Sequence, residues 1–401
     1  MKRKLGQMAK TNSDVVAIAD VSTDSFAQYV GQVQHECPIH CHDNQIEEFP
    51  MQMAADQVKL SIIVPCYKVE KYLPKCLASL MGQTLDNYEV ICINDGSPDH
   101  CIDILREWQS KYPSKLVIID KKNEGVWRGR WDGIAKARGE YIGFLDSDDY
   151  CEPDFAEQLY NAAKKEDADI AVCGFSRIDL ESGKALSHEM CTLRTDFAID
   201  QDPGRLVELN GAPWNKVFRA STLKNMRDLP TPPPVLDDLM FHWLAYLDMH
   251  GKVTFVPKSL VNYMVRAGSI INSVRMEQVK KTYAAFKQVK AYYTEASASK
   301  ALQEALDAAA FLHLGISLNY RLAADPKCDL KAAIASCTKF LNQNFPTWHD
   351  SPYIRGSYAR TRGGAFKRLL TVSRIYKLGL LPAFLHVYSF VINTFDVDIK
   401  W

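Results

Sequence analysis

The sequence has no surplus of either charge: 48 Lys and Arg stand against 48 Asp and Glu in 401 residues. A protein whose main task is gripping nucleic acid or an acidic polymer carries a basic excess, so neutrality argues against that class. There is no apolar run of the roughly 18 residues that a bilayer-spanning helix needs. Met1 to Asp20 carries early lysines without an apolar stretch of signal-peptide length. The 11 cysteines are odd in number and scattered, with Cys66, Cys92 and Cys173 inside apolar strand-like runs. That is not the spacing of a disulfide framework, so reduced thiols and a cytoplasmic location are expected. Glycine-rich phosphate loops are missing too. No GxGxxG follows the first apolar run and no GxxxxGK[ST] occurs anywhere, which argues against a dinucleotide-dependent dehydrogenase and a P-loop kinase. Gly125, Gly129 and Gly133 recur every four residues, a spacing that suits one helix face pressed against a sheet.

What is present reads as an ordinary folded protein, 47% hydrophobic and 24% charged, long enough for two or three structural units. Residues 1–57 show little periodicity and read as a mobile N-terminal extension. They include His35, Cys37, His40, Cys41 and His42, zinc-ligand types at close spacing. No second pair stands at finger distance, so a polar extension is the preferred reading over a metal site. From Val58 the pattern changes. Short apolar runs at Leu60–Val64, Glu89–Ile93, Leu116–Ile119 and Tyr141–Leu145 alternate with helical stretches at 70–82, 102–109 and 126–137. This spells βαβ units and a parallel sheet. Ser97 and Pro98 suit the cap and first turn of the second helix. A further strand is expected at Asp169–Cys173, a helix at Leu236–His250 and a strand at Val253–Val256. From Val274 the pattern is almost wholly helical. Domains are therefore placed at 1–57, 58–273 and 274–401.

In an open parallel sheet, ligands bind beyond the carboxyl ends of the strands. The polar residues at those ends are Pro65-Cys66-Tyr67, Asn94-Asp95-Gly96-Ser97, Asp120-Lys121 and Asp146-Ser147-Asp148-Asp149. Three aspartates within four positions repel one another unless a cation or donors balance them. An Asp-x-Asp spacing suits Mg²⁺ or Mn²⁺, hard ions that keep ligand positions for phosphate oxygens. The alternative is an acidic turn, with Asp149 serving the next helix N-terminus.

Six segments in order now resemble the family 2 glycosyltransferases, in particular bacterial enzymes that build surface polysaccharides. They are LSIIVPCYKVEKYLPKCLASLMGQT, EVICINDGSPD, NEGVWRGRWDGIAKARGEYIGFLDSDD, APWNKVF, LDDLMF and VRAGSI. The resemblance, which covers roughly Val58 to Ile271, implies a GT-A (Rossmann-like) α/β fold, a mostly parallel sheet flanked by helices, to which the helical pattern after Val274 adds a helical C-terminal region. It implies inverting, metal-dependent transfer from a nucleotide-diphosphate sugar, a UDP-sugar by preference, to a hydroxyl of a glycan or lipid-linked acceptor. By position, Pro65 and Tyr67 line the base, Asp95 faces the uracil imide and Arg130 lies near the nucleotide. Asp146 holds the ribose with Ser147 beside it, and Asp148 ligates Mn²⁺ or Mg²⁺. Asp238 is the expected general base and Asp237 the runner-up, with helix capping as the competing explanation of the pair. Trp214 and Lys216 border the acceptor or diphosphate, and Arg266 meets the diphosphate. Departures from the family pattern fall at Lys68, Gly129, Trp131, Asp237 and Met264.

Near the C-terminus, Arg355, Arg360, Arg362, Lys367, Arg368, Arg374 and Lys377 occur with no acidic residue between them, and a mostly apolar run follows from Leu378 to Ile392. Residues 355–392 are expected to contact an anionic membrane surface, with packing on the protein's own core as the alternative. Of rival functions, a processive polymerase lacks its Gln-x-x-Arg-Trp motif and a nucleotidyltransferase lacks its phosphate loop. A catalytically silent sugar-nucleotide-binding or assembly protein would not be expected to keep Asp95, Asp146, Asp148 and Asp238.

Overall fold

The computed structural model describes residues 57–265, 274–323, 325, 327–359 and 364–387. All of them lie in one compact unit, Met53–Trp401. The His35–His42 cluster and Arg266 lie outside the described residues.

The chain opens with three strand–helix pairs: β1 (Leu60–Cys66) and α1 (Leu73–Met81), β2 (Tyr88–Asp95) and α2 (Cys101–Lys111), β3 (Leu116–Lys121) and α3 (Val126–Lys136). β4 (Tyr141–Phe144), β5 (Tyr150–Cys151), α4 (Phe155–Lys165) and β6 (Ala168–Asp179) follow. β1 is apolar without alternation because both of its faces are covered. Leu60, Ile62 and Val64 enter one apolar cluster with Leu73 and Leu77 of α1. Ile63 enters the other, beside Trp127 and Ile134 of α3. Fully burying each such side chain contributes about 1.5–3 kcal/mol. Glu89 on β2 is buried, yet it accepts bonds from Ser61 Oγ (2.7 Å) and from Arg138 N, Nε and Nη2 (2.8, 2.9 and 2.7 Å). That network fixes the register of β1 on β2.

The glycine stripe divides into two roles. A Cβ on Gly133 would stand 2.5 Å from Ile63 Cγ2, and one on Gly129 would stand 3.6 Å from Ile93 Cγ2. Gly133 therefore lets α3 lie close on the sheet, as the spacing suggests, whereas a Cβ at Gly129 would make only ordinary van der Waals contact. Gly125 instead has φ +88° and open space around it, so backbone conformation is what requires glycine there. The α2 start is also corrected. The helix begins at Cys101, not at Pro98. Ser97 Oγ donates to Asp99 Oδ1 (2.5 Å) and accepts from Lys68 N (2.7 Å), and Asp99 Oδ1 accepts from Cys101 N (3.2 Å). The hydroxyl is occupied tying the loop after β1 to the turn after β2, and the aspartate takes over at the helix end.

Beyond β6 come β7 (Ala185–Glu189), β8 (Phe197–Ala198), a 3₁₀ turn (Pro203–Glu208), β9 (Lys216–Arg219), α5 (Ala220–Asn225), α6 (Asp237–Leu247) and β10 (Lys252–Val265). The sheet order is β3-β2-β1-β4-β9-β6-β10-β5, with β7 on β6 and β8 on β10. β1 to β4 run parallel. β9 lies antiparallel between β4 and β6, and β5, β7 and β8 also pair antiparallel, so the sheet is mixed, with its parallel pairs among β1 to β4 and between β6 and β10. β6 and β10 outrun their expected ranges because they pair in parallel almost end to end, from Ala168 with Lys252 to Asp179 with Val265.

The C-terminal region is helical as expected: α7 (Met276–Glu295), α8 (Lys300–Ala310), a π-helical turn (Phe311–Ser317), α9 (Leu318–Ala323), α10 (Leu330–Asn344), α11 (Gly356–Ala359) and α12 (Gly364–Lys377). Leu370, Val372, Tyr376, Leu381 and Leu385 are buried in the same cluster as α6 and α7. Much of the apolar signal in this tail is therefore directed inward. Leu378, Leu380 and Val387 remain 72%, 55% and 64% exposed. No helix among the described residues is long and apolar enough to cross a membrane.

Candidate active site

The ends of β1, β2 and β4 meet at one edge, and a set of bonds shapes the turn after β4. Ser147 Oγ donates to Pro65 O (2.7 Å), Asp149 N donates to Asp146 O (3.0 Å), and Met264 N at the end of β10 donates to Asp149 Oδ1 (2.7 Å). The three aspartates consequently divide. Asp149 is buried and ties β10 to the turn, so it does not serve the next helix. Asp146 and Asp148 stay partly exposed at the mouth. Ser147 is buried and acts on Pro65.

At the end of β2, Asp95 is buried and its two oxygens accept from Glu124 N (2.9 Å) and Gly125 N (2.8 Å). It holds the turn that launches α3, and each oxygen keeps a further lone pair. Tyr67 is 43% exposed at the rim, with the Lys68 ammonium 5.2 Å from its ring centre.

Four residues from three segments converge. Arg130 of α3, buried, bridges Asp237 (3.0 Å) and Asp238 (2.5 Å) at the first turn of α6, and Asp146 adds its charge to the group. Burial opposes the guanidinium's charge, but Asp238, Asp237 and Asp146 outweigh it and hold Arg130 firmly protonated. Although Asp146 is partly exposed, its partial withdrawal from water, then Asp238, raises it above the ordinary carboxylate range, against the pull of Arg130. Burial likewise raises Asp238, to about 6, with Arg130 opposing and Asp237 adding to the rise. The Asp pair and Arg130, taken from distant parts of the sequence, thus form one electrostatic unit.

Lys216 and Trp214 sit deeper than a substrate contact requires. The Lys216 ammonium is fully buried and donates to Asn210 Oδ1 (2.6 Å), Ala212 O (2.6 Å), Asn215 Oδ1 (2.9 Å) and Asn210 O (3.0 Å). Its three protons are committed to the 210–215 loop, which leaves none for a diphosphate. Burial pulls its pKa down to about 7. Trp214 stacks on Tyr263 (5.5 Å, 10°) and meets Phe175 edge-on (4.7 Å). Together they form a scaffold, and the loop they brace brings Gly211 against Leu239, the residue after Asp238.

Other residues at the site carried no signal of function in the sequence. His242 lies one turn after Asp238, and its Nδ1 donates to the Asp238 carbonyl (2.6 Å). Burial holds its pKa well down, so the ring is neutral. Asp228 receives the indole N–H of both Trp127 and Trp131 and pairs with Arg128. Trp131, a departure from the family pattern, is thereby built into the seam between α3 and α6, with Phe241 6.1 Å away. A cavity of about 250 Å³ beside Asp148 is lined in part by Lys71, Tyr72, Lys75, Tyr150 and Met264. Lys71 and Lys75 could have been found from their i, i+4 spacing at the head of α1. Among the described residues, no three His, Cys, Asp or Glu side chains are grouped to hold a metal.

Known proteins resemble this chain in sequence and fold. Residues 61–227 match the family model described as Glycosyl transferase family 2. The EpsH protein of Bacillus subtilis (strain 168) is 30% identical over 264 residues, 65% of this chain and 76% of that one. The poly(ribitol-phosphate) beta-glucosyltransferase of Bacillus spizizenii is 35% identical over 194 residues, 47% of this chain but only 30% of that one. Among solved structures, S. aureus TarS 1–349 in complex with UDP-GlcNAc aligns with a TM-score of 0.61 at 20% identity, covering 80% of this chain and 92% of that one. The fold and the length of EpsH that is matched leave one conclusion: this chain belongs to glycosyl transferase family 2 and is a glycosyltransferase.

Proposed function

We propose that the protein transfers a sugar, with inversion, from a UDP-sugar to a hydroxyl of a glycan or lipid-linked acceptor in polysaccharide biosynthesis. The observation that carries this reading is the convergence of Asp238, Asp237 and Arg130 with Asp146 at the carboxyl edge of the sheet. In this reading Pro65 and Tyr67 wall the base, Asp95 meets the imide and Asp146 meets the ribose, and Ser147 braces Pro65. Asp238 removes the proton from the acceptor hydroxyl. The freed oxygen pair bonds to the anomeric carbon from the face opposite the diphosphate, which leaves with the electrons of the broken C–O bond. One base suffices for this single displacement. Trp214 and Lys216 brace the acceptor side.

The residues fit a hard divalent ion, Mn²⁺ or Mg²⁺, with Asp148 as its protein ligand. Asp148 lines the cavity there, and burial, with Asp238 and Asp148 adding, raises the neighbouring Asp146. A site with few protein ligands leaves positions for phosphate oxygens and water. Such an ion, when bound, neutralises charge that builds on the leaving diphosphate. The scaffold around it is this chain's contribution: it holds donor and acceptor together, which lowers the entropic part of the barrier.

The test is a panel of nucleotide sugars incubated with Mn²⁺ or Mg²⁺ and no acceptor. Slow hydrolysis or saturable binding of a UDP-sugar is expected. Failure to bind or turn over any nucleotide sugar would overturn the reading.

Contact with anionic lipid is supported by a narrower patch than residues 355–392 as a whole. It comprises exposed Leu378, Leu380 and Val387 near the exposed cations Arg374 and Lys377. Replacing the three apolar residues by serine is expected to weaken co-sedimentation with phosphatidylglycerol vesicles. Unchanged co-sedimentation would remove the patch from consideration.

A further inference from the structure

Arg130 stands where the family pattern places an arginine near the nucleotide, yet both of its terminal nitrogens are engaged by Asp237 and Asp238. Its side chain is only 5% exposed. An arginine buried to that degree is held in one geometry, and its planar fork fixes whatever it pairs with. Arg130 Nη1 donates to Asp237, while Nη2 holds the Asp238 carboxylate by ion-pair contact without a directed hydrogen bond, and His242 holds the Asp238 carbonyl. We infer that Arg130 is a positioning residue that aims the Asp238 carboxylate and keeps it charged for proton abstraction, an inference that rests on the base role proposed for Asp238.

The groups around Asp238 show why a cation is needed there. Arg130 faces it from α3, Asp146 from the turn after β4, Asp237 from its own helix and Lys216 from β9. Two of these are carboxylates, and burial also favours the neutral acid. Lys216 acts only at a distance, because its ammonium is committed to Asn210, Ala212 and Asn215. Arg130 is therefore the one cation in contact with the pair among the described residues. Without it the acid would hold its proton to higher pH and could not accept one from the acceptor near neutrality. His242, buried and neutral, steadies the backbone without adding charge.

The experiment is the pH profile of kcat at saturating donor for the full chain and three variants. A contacting opposite charge typically lowers a carboxylate by about 1–3 pH units. Arg130→Gln is thus expected to move the acid limb upward by about that amount, with rate recovering as pH rises. Arg130→Lys, which keeps the charge, should hold the limb near its original position at reduced kcat. Asp237→Asn removes a neighbouring negative charge and should move the limb downward. A purely structural Arg130 would lower kcat equally at all pH values with the limb unmoved, and that result would overturn the inference. If Arg130→Gln does not fold, Asp237→Asn decides: a limb unmoved or moved upward counts against the clamp. Asp237→Asn inactive at every pH would overturn it too, by making Asp237 the base. Near-normal turnover in Asp238→Asn, by contrast, would defeat the underlying base assignment itself.

Discussion

Asp238→Asn is expected to abolish transfer while leaving donor affinity unchanged. The substitution keeps the size of the side chain but removes the capacity to take a proton. General-base catalysis is typically worth about 10²–10⁴-fold, and transfer should fall by that amount. The structure gives specific reasons to expect the loss at this residue. Asp238 stands in the first turn of α6, its carboxylate is held by Arg130, and its pKa is raised by burial to about 6. The sign follows directly: a base must be deprotonated, so wild-type kcat should fall as pH drops through the region of that raised value. Donor binding measured by calorimetry separates the two roles. Weakened donor binding with unaltered kcat would assign Asp238 to substrate recognition instead of proton transfer.

The second large effect concerns Asp148. Chelation of divalent ions, or Asp148→Ala, should lower transfer on the order of 10³-fold, the equivalent of several kcal/mol of transition-state stabilisation. Mn²⁺ or Mg²⁺ should restore the chelated wild-type enzyme and leave the variant low. Asp149→Ala separates Asp148's role from that of its neighbour. Asp149 ties the turn to Met264, so its loss should lower thermal stability without changing the metal concentration needed for half-maximal rate. Full transfer by the wild type in excess chelator would end the metal-dependent reading.

Much of the architecture could be read in the sequence because buried parallel strands are conspicuous. LSIIV and EVICI are apolar on both faces, and only a strand covered on both sides needs that. The site edge followed from where those strands stop. β9 was missed: Lys216–Arg219 is four residues long, has no alternation and sits in an irregular stretch. Its identity depends on β4 and β6 flanking it, not on its own residues. Charge partners were equally hidden. Arg130, Asp146 and Asp238 could be listed as separate candidates, but nothing local to any of them says that Arg130 faces the Asp pair. Lys216 illustrates the reverse error. A lysine in a motif suggests a phosphate contact, whereas its cage of oxygens comes from residues whose side chains and carbonyls point inward only once the 210–215 loop is folded. In the tail, composition alone does not separate the exposed apolar residues from Tyr376, which packs on Phe311 and Trp348.

The position of β9 also bears on how the chain is made. A ribosome delivers β1 to β4 first, and they can pair as soon as they emerge. The outer edge of β4, Tyr141–Phe144, stays open until Lys216–Arg219 arrive. At roughly 5–20 residues per second, that leaves an unpaired apolar edge exposed for seconds, and such edges recruit other chains. Until β9 is made, the edge at Tyr141–Phe144 is therefore one place where the nascent chain is open to mispairing.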